Sequence, residues 1–384
     1  MTTVEYNHHT NHNERPSNPY MRTNSESLKI PTCDTVLDLL ELKNEKLIQA
    51  VFDLIQELFP DWVSQKSELT INRISGALTN AIYFVDGNGT RRLLRVYGIG
   101  VDQFIDREKE LAWLARLGRL NLGPRLLGIF GNGRFEEYVK SVTLNHHDIR
   151  DPVTSTQIAQ CLARQHSIVN IYQPPHDQEL EVWKNIDKWY QLALVLLPKI
   201  SEKDQERAKI LDMFDFKRLG KEIDDCKNIL EKVKSPIVFG HNDLQYGNIL
   251  KRDDTGDLVL VDFEYSGYNT RGFDLANHFV EWRYDYHGKQ PAAMTEPFPT
   301  DEEQLRFIQA YMDTNKKELE IDEDISFEEV QQEVKVWLMA VHLSWGLWGL
   351  IQASLSEIDF DYFYYSMERL NQFREDFVKW NNLD

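Results

Sequence analysis

Cysteine is scarce in this chain: Cys33, Cys161 and Cys226 are odd in number, far apart and lack the close spacing of thiolate metal ligands. That excludes a disulfide framework and a zinc ribbon, and reduced thiols of this kind suit a cytoplasmic protein. Clusters of positive charge are missing as well. The 43 lysines and arginines face 62 aspartates and glutamates, a formal net charge of −19, and no basic block is long enough to track a phosphate backbone, so nucleic acid is not expected as a partner. A field of this sign permits a cationic ligand and disfavours anionic ones. Long apolar runs are absent too: the strongest, residues 336–351, is interrupted by His342, Ser344 and glycines, so the chain reads as soluble, without stable membrane insertion. The start, M-T-T-V-E-Y-N-H-H, has neither the basic and apolar segments of a secretory signal nor a myristoylation pattern.

What is present suffices for a large core, since 42% of the 384 residues are apolar and the length suggests two or three structural units. Residues 1–30 are rich in Asn, His, Ser, Thr and Pro and read as a disordered tail, in which His8, His9 and His12 are solvated rather than metal-bound. From Thr35 to about Pro60 the apolar residues recur at helical spacing, in one or two helices. The period then changes. Residues 69–74, 81–85 and 92–97 read as strands, the last two joined by D-G-N-G, a strong hairpin signal. A helix over 105–117, strands over 126–130 and 135–139, and a second Gly-rich turn at 131–133 complete a small lobe, taken as 31–139, of four or five mostly antiparallel strands with one helix after the third. Beyond it, over 140–384, helical patterns dominate, near 156–169, 181–197, 203–233, 273–284, 301–315, 327–353 and 361–380. The expected class is therefore α+β: a β-rich lobe, a mainly helical lobe and a cleft between them.

The most specific segment lies in the helical lobe. H-N-D-L-Q-Y-G-N-I-L, a polar turn, then L-V-L-V-D-F-E places Asp243, Asn248 and Asp262 in the order of a kinase catalytic loop followed by an Asp-Phe at the end of an apolar strand. Ile249 and Leu250 begin one strand, 253–256 turn, and 258–261 form the second, so a short hairpin brings Asn248 and Asp262 together. Phosphoryl transfer needs those residue types: Asp243 to accept or orient the acceptor hydroxyl, Asn248 and Asp262 to hold the Mg²⁺ that bridges the phosphates of ATP. His241 packs and bonds to fix the loop, and Gln245 is near enough to line the same pocket. A lone Asp or Asn would be an ordinary turn former; the joint spacing is what argues for chemistry.

In the small lobe, Ser75-Gly76-Ala77-Leu78-Thr79-Asn80 falls in the turn between the first two strands, where Ser75, Gly76, Thr79 and Asn80 are positioned to cover ATP phosphates; with one glycine the signal is weak on its own. Arg95, inside L-L-R-V-Y, needs an anionic partner, and Glu110 of the following helix is the expected carboxylate holding it over the phosphates. Arg107, Glu108 and Lys109 flank Glu110, and a structural ion pair is the alternative.

These residues carry a family resemblance. S-G-A-L-T-N, L-L-R-V-Y-G, D-R-E-K-E-L, L-G-P-R-L-L-G-I-F-G-N-G-R-F-E, F-G-H-N-D-L-Q-Y-G-N-I-L and the run from Val261 to Tyr286 resemble the choline/ethanolamine kinase family over about residues 70–384, W-G-L-W near the C-terminus included. Two of these segments look most like fungal choline kinases. The resemblance implies a protein-kinase-like bilobal fold, ATP and Mg²⁺ as cofactors, an arginine at 95 where protein kinases use lysine, and Glu137 within the nucleotide site. It further implies choline or ethanolamine as acceptor, at the start of a branch of phospholipid synthesis, and possible homodimers. A quaternary ammonium donates no hydrogen bond and must be held by π faces and carboxylates. Tyr286, Trp345, Trp348 and Tyr365 match the family's choline pocket, Glu281 lends support, and choline is the preferred acceptor over ethanolamine. An aromatic core stripe, a catalytically silent kinase-like binding protein and an antibiotic phosphotransferase are the alternatives.

Overall fold

The computed structural model describes residues 30–39, 42, 45–75, 80–97, 106–321, 325–356 and 358–381, with only the backbone of Ser75, Asn80 and Lys203. The disordered tail expected over 1–30 lies outside these residues apart from Ile30, as do Gly76 and Thr79 of the glycine-poor turn.

The small lobe is a five-stranded antiparallel sheet in the order β1-β2-β3-β5-β4, with β1 Thr70–Ser75, β2 Asn80–Gly87, β3 Thr90–Tyr97, β4 Leu126–Phe130 and β5 Gly133–Glu137. Its hairpin turn behaves as its chemistry demands: Asn88 and Gly89 both take positive φ, 45° and 71°, which matches the right-handed twist of the flanking strands. Before the sheet, α1 (Glu45–Leu58) is a single amphipathic helix that buries Val51, Leu54, Ile55 and Leu58; residues 35–38, expected to be helical, are not, and Thr32 bridges to Ile129 beside β4. After β3 comes α2 (Arg107–Arg119), capped by Asp106, whose side chain accepts from Lys109 N. Leu111, Trp113, Leu114 and Leu117 of α2 pack with the core of the larger lobe, so this helix ties the two lobes together.

The larger lobe contains α3 (Pro152–His166), α4 (Glu181–Lys203), α5 (Gln205–Phe214), α6 (Phe216–Glu231), α7 (Arg271–Glu281), α8 (Asp301–Glu318), α9 (Phe327–Leu355) and α10 (Tyr362–Asn381). The single helical stretch expected over 203–233 is broken at Asp215, which is in the left-handed region (φ 55°) and caps α6 by accepting from Arg218 N. Two small sheets, β6-β8-β9 (Ser141–Thr143, Ile249–Arg252, Leu258–Leu260) and β7-β10 (Ile237–Gly240, Gly267–Thr270), hold the loops of the site. By length and apolarity α9 could cross a membrane, but 83% of its most apolar window is buried inside the protein, so it is the core helix of this lobe. Gly346 within W-G-L-W and Gly349 just after it explain how α10 fits beside it. A Cβ at Gly346 would come within 2.7 Å of Leu370, and one at Gly349 within 3.0 Å of Tyr365, so only bare backbone lets α10 approach closely enough to set Tyr365 next to Trp348.

All eleven residues of α7 are buried, although Asp274, Asn277, His278 and Glu281 are polar. Their spacing, i, i+3, i+4 and i+7, puts them on one face of the helix. Each finds a partner in the site, which is why a helix this polar is tolerated at the centre of the lobe.

Candidate active site

The loop after β7 is held from beneath by Asp274. Its two oxygens accept from the backbone N–H of His241 and of Asn242, both at 2.7 Å, and His166 Nε2 lies 2.9 Å from Oδ2 while its Nδ1 meets the Tyr311 hydroxyl at 2.9 Å. Burial acts to raise the Asp274 carboxyl, but His166 and these backbone donors outweigh it and leave it below its usual range. Asn242 adopts φ 66°, its amide donating to Tyr265 O and accepting from Asn269. His241 is fully buried, Nε2 is 3.0 Å from Val261 O, and burial pushes its pKa down, so it is a neutral brace between the loop after β7 and the end of the hairpin's second strand. His278 of α7 adds a further tie, Nδ1 to Leu244 O at 2.8 Å.

The hairpin forms as the spacing predicts, with Ile249 opposite Leu260 and Val261 N donating to Asn248 O at 3.0 Å. Asp262 therefore stands one residue past the partner of Asn248. Asn248 Nδ2 donates to the Asp243 carbonyl at 2.8 Å and to Asp243 Oδ2 at 2.9 Å, which orients the carboxylate, while Oδ1 of Asn248 has only a long 3.4 Å contact from Gln245 Nε2. Gln245 is turned inward: its Oε1 accepts from Gly247 N at 2.6 Å, capping the short turn that delivers Asn248. The Asp243 carboxyl is pushed well above its ordinary value by burial, then by the charges of Glu281, Asp262 and Glu264, against the pull of Asn248. Cations entering the site would reverse that push and restore a carboxylate able to accept a proton.

On one side of Asp243 lies a lattice of buried charge. Arg95 and Arg134 sit directly opposite each other on β3 and β5 and need carboxylates between them. Arg134 is bound by Glu136 (2.6 Å) and Glu110 (2.7 Å), and Glu110 also takes Arg107 at 2.7 Å. The expected Arg95–Glu110 pair is thus replaced: Arg95 Nε is 3.4 Å from Glu136 and its Nη1 3.9 Å from Asp262, because Arg134 reaches Glu110 first from the neighbouring strand. Arg95 remains turned towards the strand-terminal aspartate. Glu137, at the end of β5, is engaged with Arg125 at 3.1 Å on the surface rather than within this lattice.

Carboxylate oxygens of Glu110, Asp262 and Glu264 lie within 4.8 Å of one another. Asp262 Oδ1 is buried without a hydrogen-bond partner, and Glu264 is pushed up to about 8 by burial and by Asp262 and Glu110, with Arg107 and Arg95 opposing. Hard oxygen donors with an unsatisfied, mutually repelling charge fit a divalent cation such as Mg²⁺. Glu264 was not among the expected ligands; its position two residues beyond Asp262 in D-F-E was the available signal. Both Glu110 oxygens are tightly engaged by arginines, whereas Asp262 and Glu264 have only long ion-pair contacts, 3.9 Å to Arg95 and 3.8 Å to Arg107.

On the other side stands an aromatic wall. Trp345 and Trp348 meet edge to face with centroids 5.4 Å apart, Tyr265 meets Trp345 at 5.4 Å, and Tyr365 meets Trp348 at 6.4 Å. The indoles are held by polar ties, Trp345 Nε1 to Asn277 Oδ1 at 2.7 Å and Trp348 Nε1 to the Tyr265 hydroxyl at 3.0 Å. Tyr286 stacks on Tyr284, and its hydroxyl donates to Glu281 Oε2 at 2.6 Å. Tyr265, directly after D-F-E, escaped the sequence reading, as did Asp274 and Asn277. A polar stripe at helical spacing inside R-G-F-D-L-A-N-H-F-V-E was the sign of the last two. Tyr286 and Trp348 are half-buried, whereas Trp345 and Tyr365 are almost wholly buried and also serve as core.

A two-lobed fold with a buried carboxyl group, Asp243, between a face of mixed charge and an aromatic wall has the architecture of a protein-kinase-like phosphotransferase. The family model for choline/ethanolamine kinase matches residues 71–374, and the chain belongs to that family. Among its relatives, the probable choline kinase 2 of Arabidopsis thaliana is 32% identical over 87% of this chain and 93% of its own length. The probable ethanolamine kinase of the same plant is 32% identical over 91% of each. Of solved structures, the ethanolamine kinase of Plasmodium vivax superposes with a TM-score of 0.69 at 27% identity, covering 87% of this chain and 91% of that one.

Proposed function

We propose that this protein is a choline kinase that moves the γ-phosphoryl group of ATP to the choline hydroxyl, leaving phosphocholine and ADP. The observation that carries the choline reading is the aromatic wall beside Asp243, in which Glu281 is already engaged by Tyr286 and Arg369. A cation with no N–H to donate loses least in such a site, because ring faces attract charge without needing a donor. Asp243 would take the hydroxyl proton as the oxygen attacks phosphorus, with Asn248 holding its carboxylate in place. Asp262, Glu264 and the Oδ1 of Asn248 would hold Mg²⁺, which neutralises phosphate charge when bound; Arg95 would supply further positive charge along the same face.

Ethanolamine is the second reading, favoured by relatives of both names at equal identity. Steady-state kinetics with each alcohol decides between them: a higher kcat/KM for ethanolamine overturns the choline assignment, and turnover of neither returns the chain to the class of kinase-like binding proteins. We also propose a cytoplasmic, homodimeric enzyme. The location rests on three unpaired cysteines, of which Cys161 is pushed up to about 11 by burial, and the assembly on the family resemblance. Cell fractionation and sedimentation check the two.

A further inference from the structure

Behind the aromatic wall lies a buried ion pair that the reaction itself does not use. Arg369 of α10 is fully buried, and its Nη2 donates to Glu281 Oε1 at 2.8 Å. The other oxygen of Glu281 accepts from the Tyr286 hydroxyl at 2.6 Å, so each carboxylate oxygen has a protein donor. The guanidinium carbon stands 4.6 Å from the Tyr284 ring centre and 5.1 Å from that of Tyr365, while Nε and Nη1 have no hydrogen-bond partner and face π surface instead. Tyr365 in turn contacts Trp348, and Tyr284 stacks flat on Tyr286 with centroids 5.3 Å apart. The pair is thus wired to both ends of the wall.

A fixed cation immediately behind a pocket for a cation would oppose binding if it stood alone, and an unpaired Glu281 would do the reverse. Together they form a nearly neutral unit. The choice of arginine matters: a planar fork can bind one carboxylate oxygen and lie against two tyrosine rings at once, which a lysine ammonium does less well. Glu281 is close enough to Asp243 that its charge is among the causes raising the Asp243 carboxyl, so its compensation is felt at the reacting end too.

We infer that Arg369 is a positioning residue that sets the pocket's preference between quaternary and primary ammonium groups, by cancelling the charge of Glu281 and occupying the oxygen an ammonium N–H would otherwise take. This rests on the amino-alcohol reading above. With Glu281 engaged, a primary ammonium gives up its hydration and finds that acceptor already taken, whereas a trimethylammonium finds the ring faces it needs. Freeing Oε1 would hand the primary amine a charge-assisted hydrogen bond.

The test compares choline and ethanolamine turnover, and choline binding by calorimetry, in wild type, Arg369→Met, Arg369→Lys and the double variant Arg369→Met with Glu281→Gln, each first checked for a cooperative thermal transition. In Arg369→Met the kcat/KM ratio of ethanolamine to choline should rise roughly tenfold, a shift of about 1.4 kcal/mol, and through KM rather than kcat. Arg369→Lys, which keeps the charge, should return most of that shift, and the double variant should lie within about twofold of the wild-type ratio because no net charge has changed. A folded Arg369→Met with an unaltered ratio overturns the inference, as does a loss of kcat with both ratios equal. If Arg369→Met does not fold, the double variant decides: a wild-type ratio supports the neutral-unit account, and a tenfold loss of choline affinity contradicts it. Wild-type protein that phosphorylates neither alcohol takes down the acceptor reading and this inference with it.

Discussion

The two faces that meet at Asp243 solve opposite electrostatic problems by opposite means. On the proposed function the face towards the small lobe holds a polyanion and its metal, and it is made almost entirely of formal charge: Arg95, Arg107 and Arg134 interleaved with Glu110, Glu136, Asp262 and Glu264. The face towards α9 and α10 must hold a cation, and it is made of rings, with one compensated ion pair behind them. Charges in a buried lattice are stable only as a set, because removing one strands its partner, whereas rings act independently and in small increments. Damage should therefore be abrupt on the first face and graded on the second.

Asp243 belongs to both faces, and its loss should erase the comparison altogether. Replacing it by Ala is expected to lower kcat by about 10²- to 10⁴-fold, the usual worth of a positioned acid/base group, with KM for either substrate little altered. Rapid-quench or coupled-assay turnover checks this; near-normal activity would sink the assignment of the base.

Arg134→Met tests the abrupt face. Arg134 is 2% exposed and binds both Glu110 and Glu136, so its loss leaves Glu110 with Arg107 alone and Glu136 with only the longer contact to Arg95, two carboxylates under-compensated in the interior. Stability should drop by about 3–5 kcal/mol, read from urea unfolding, and the Mg²⁺ and ATP dependence should weaken while KM for choline holds. A loss under 1 kcal/mol would mean that solvent reaches this lattice.

The scaffold under both faces has its own signature in pH. Burial pushes His278 down to about 4, against its Leu244 bond, whereas a histidine in the unfolded chain titrates near 6.5. The folded state then binds fewer protons than the unfolded one between those values, so stability is fully present above about pH 6.5 and is lost as pH falls towards 4, by roughly 3 kcal/mol in all. Denaturant unfolding across that window should show the slope, and His278→Gln should flatten it.

Much of this arrangement could be read from the chain. The hairpin from Asn248 to Asp262, the positive-φ turn at Asn88-Gly89 and most helices of the larger lobe follow from local pattern, and so they appeared where the spacing placed them. The partner of Glu110 did not, because whether Arg95 or Arg134 reaches it depends on the β3–β5 register, which no local pattern specifies. Residues 35–38 carry helical periodicity but form no helix and pack near Asn132, whose side chain bonds Leu37 at both N and O, so tertiary contact overrode propensity. Trp345 shows the limit from the other side: its spacing from Trp348 was legible, yet whether an aromatic is wall or core depends on burial, and Trp345 is mostly core.

The graded face is best tested at Trp348, the half-buried ring that Trp345, Tyr362 and Tyr365 surround at 5.4, 5.6 and 6.4 Å. Trp348→Leu keeps an apolar side chain of moderate size but removes the π face and the hydrogen bond to Tyr265. One cation–π contact is worth about 0.5–2 kcal/mol, so KM for choline should rise roughly tenfold while kcat changes little, since the hydroxyl end still meets Asp243. Ethanolamine, which can recover part of its binding through N–H donors, should lose less than choline. An equal loss for both alcohols would mean that Trp348 supplies shape alone, and the contrast between a face of charge and a face of rings would then have to be redrawn around Tyr286 and Tyr365.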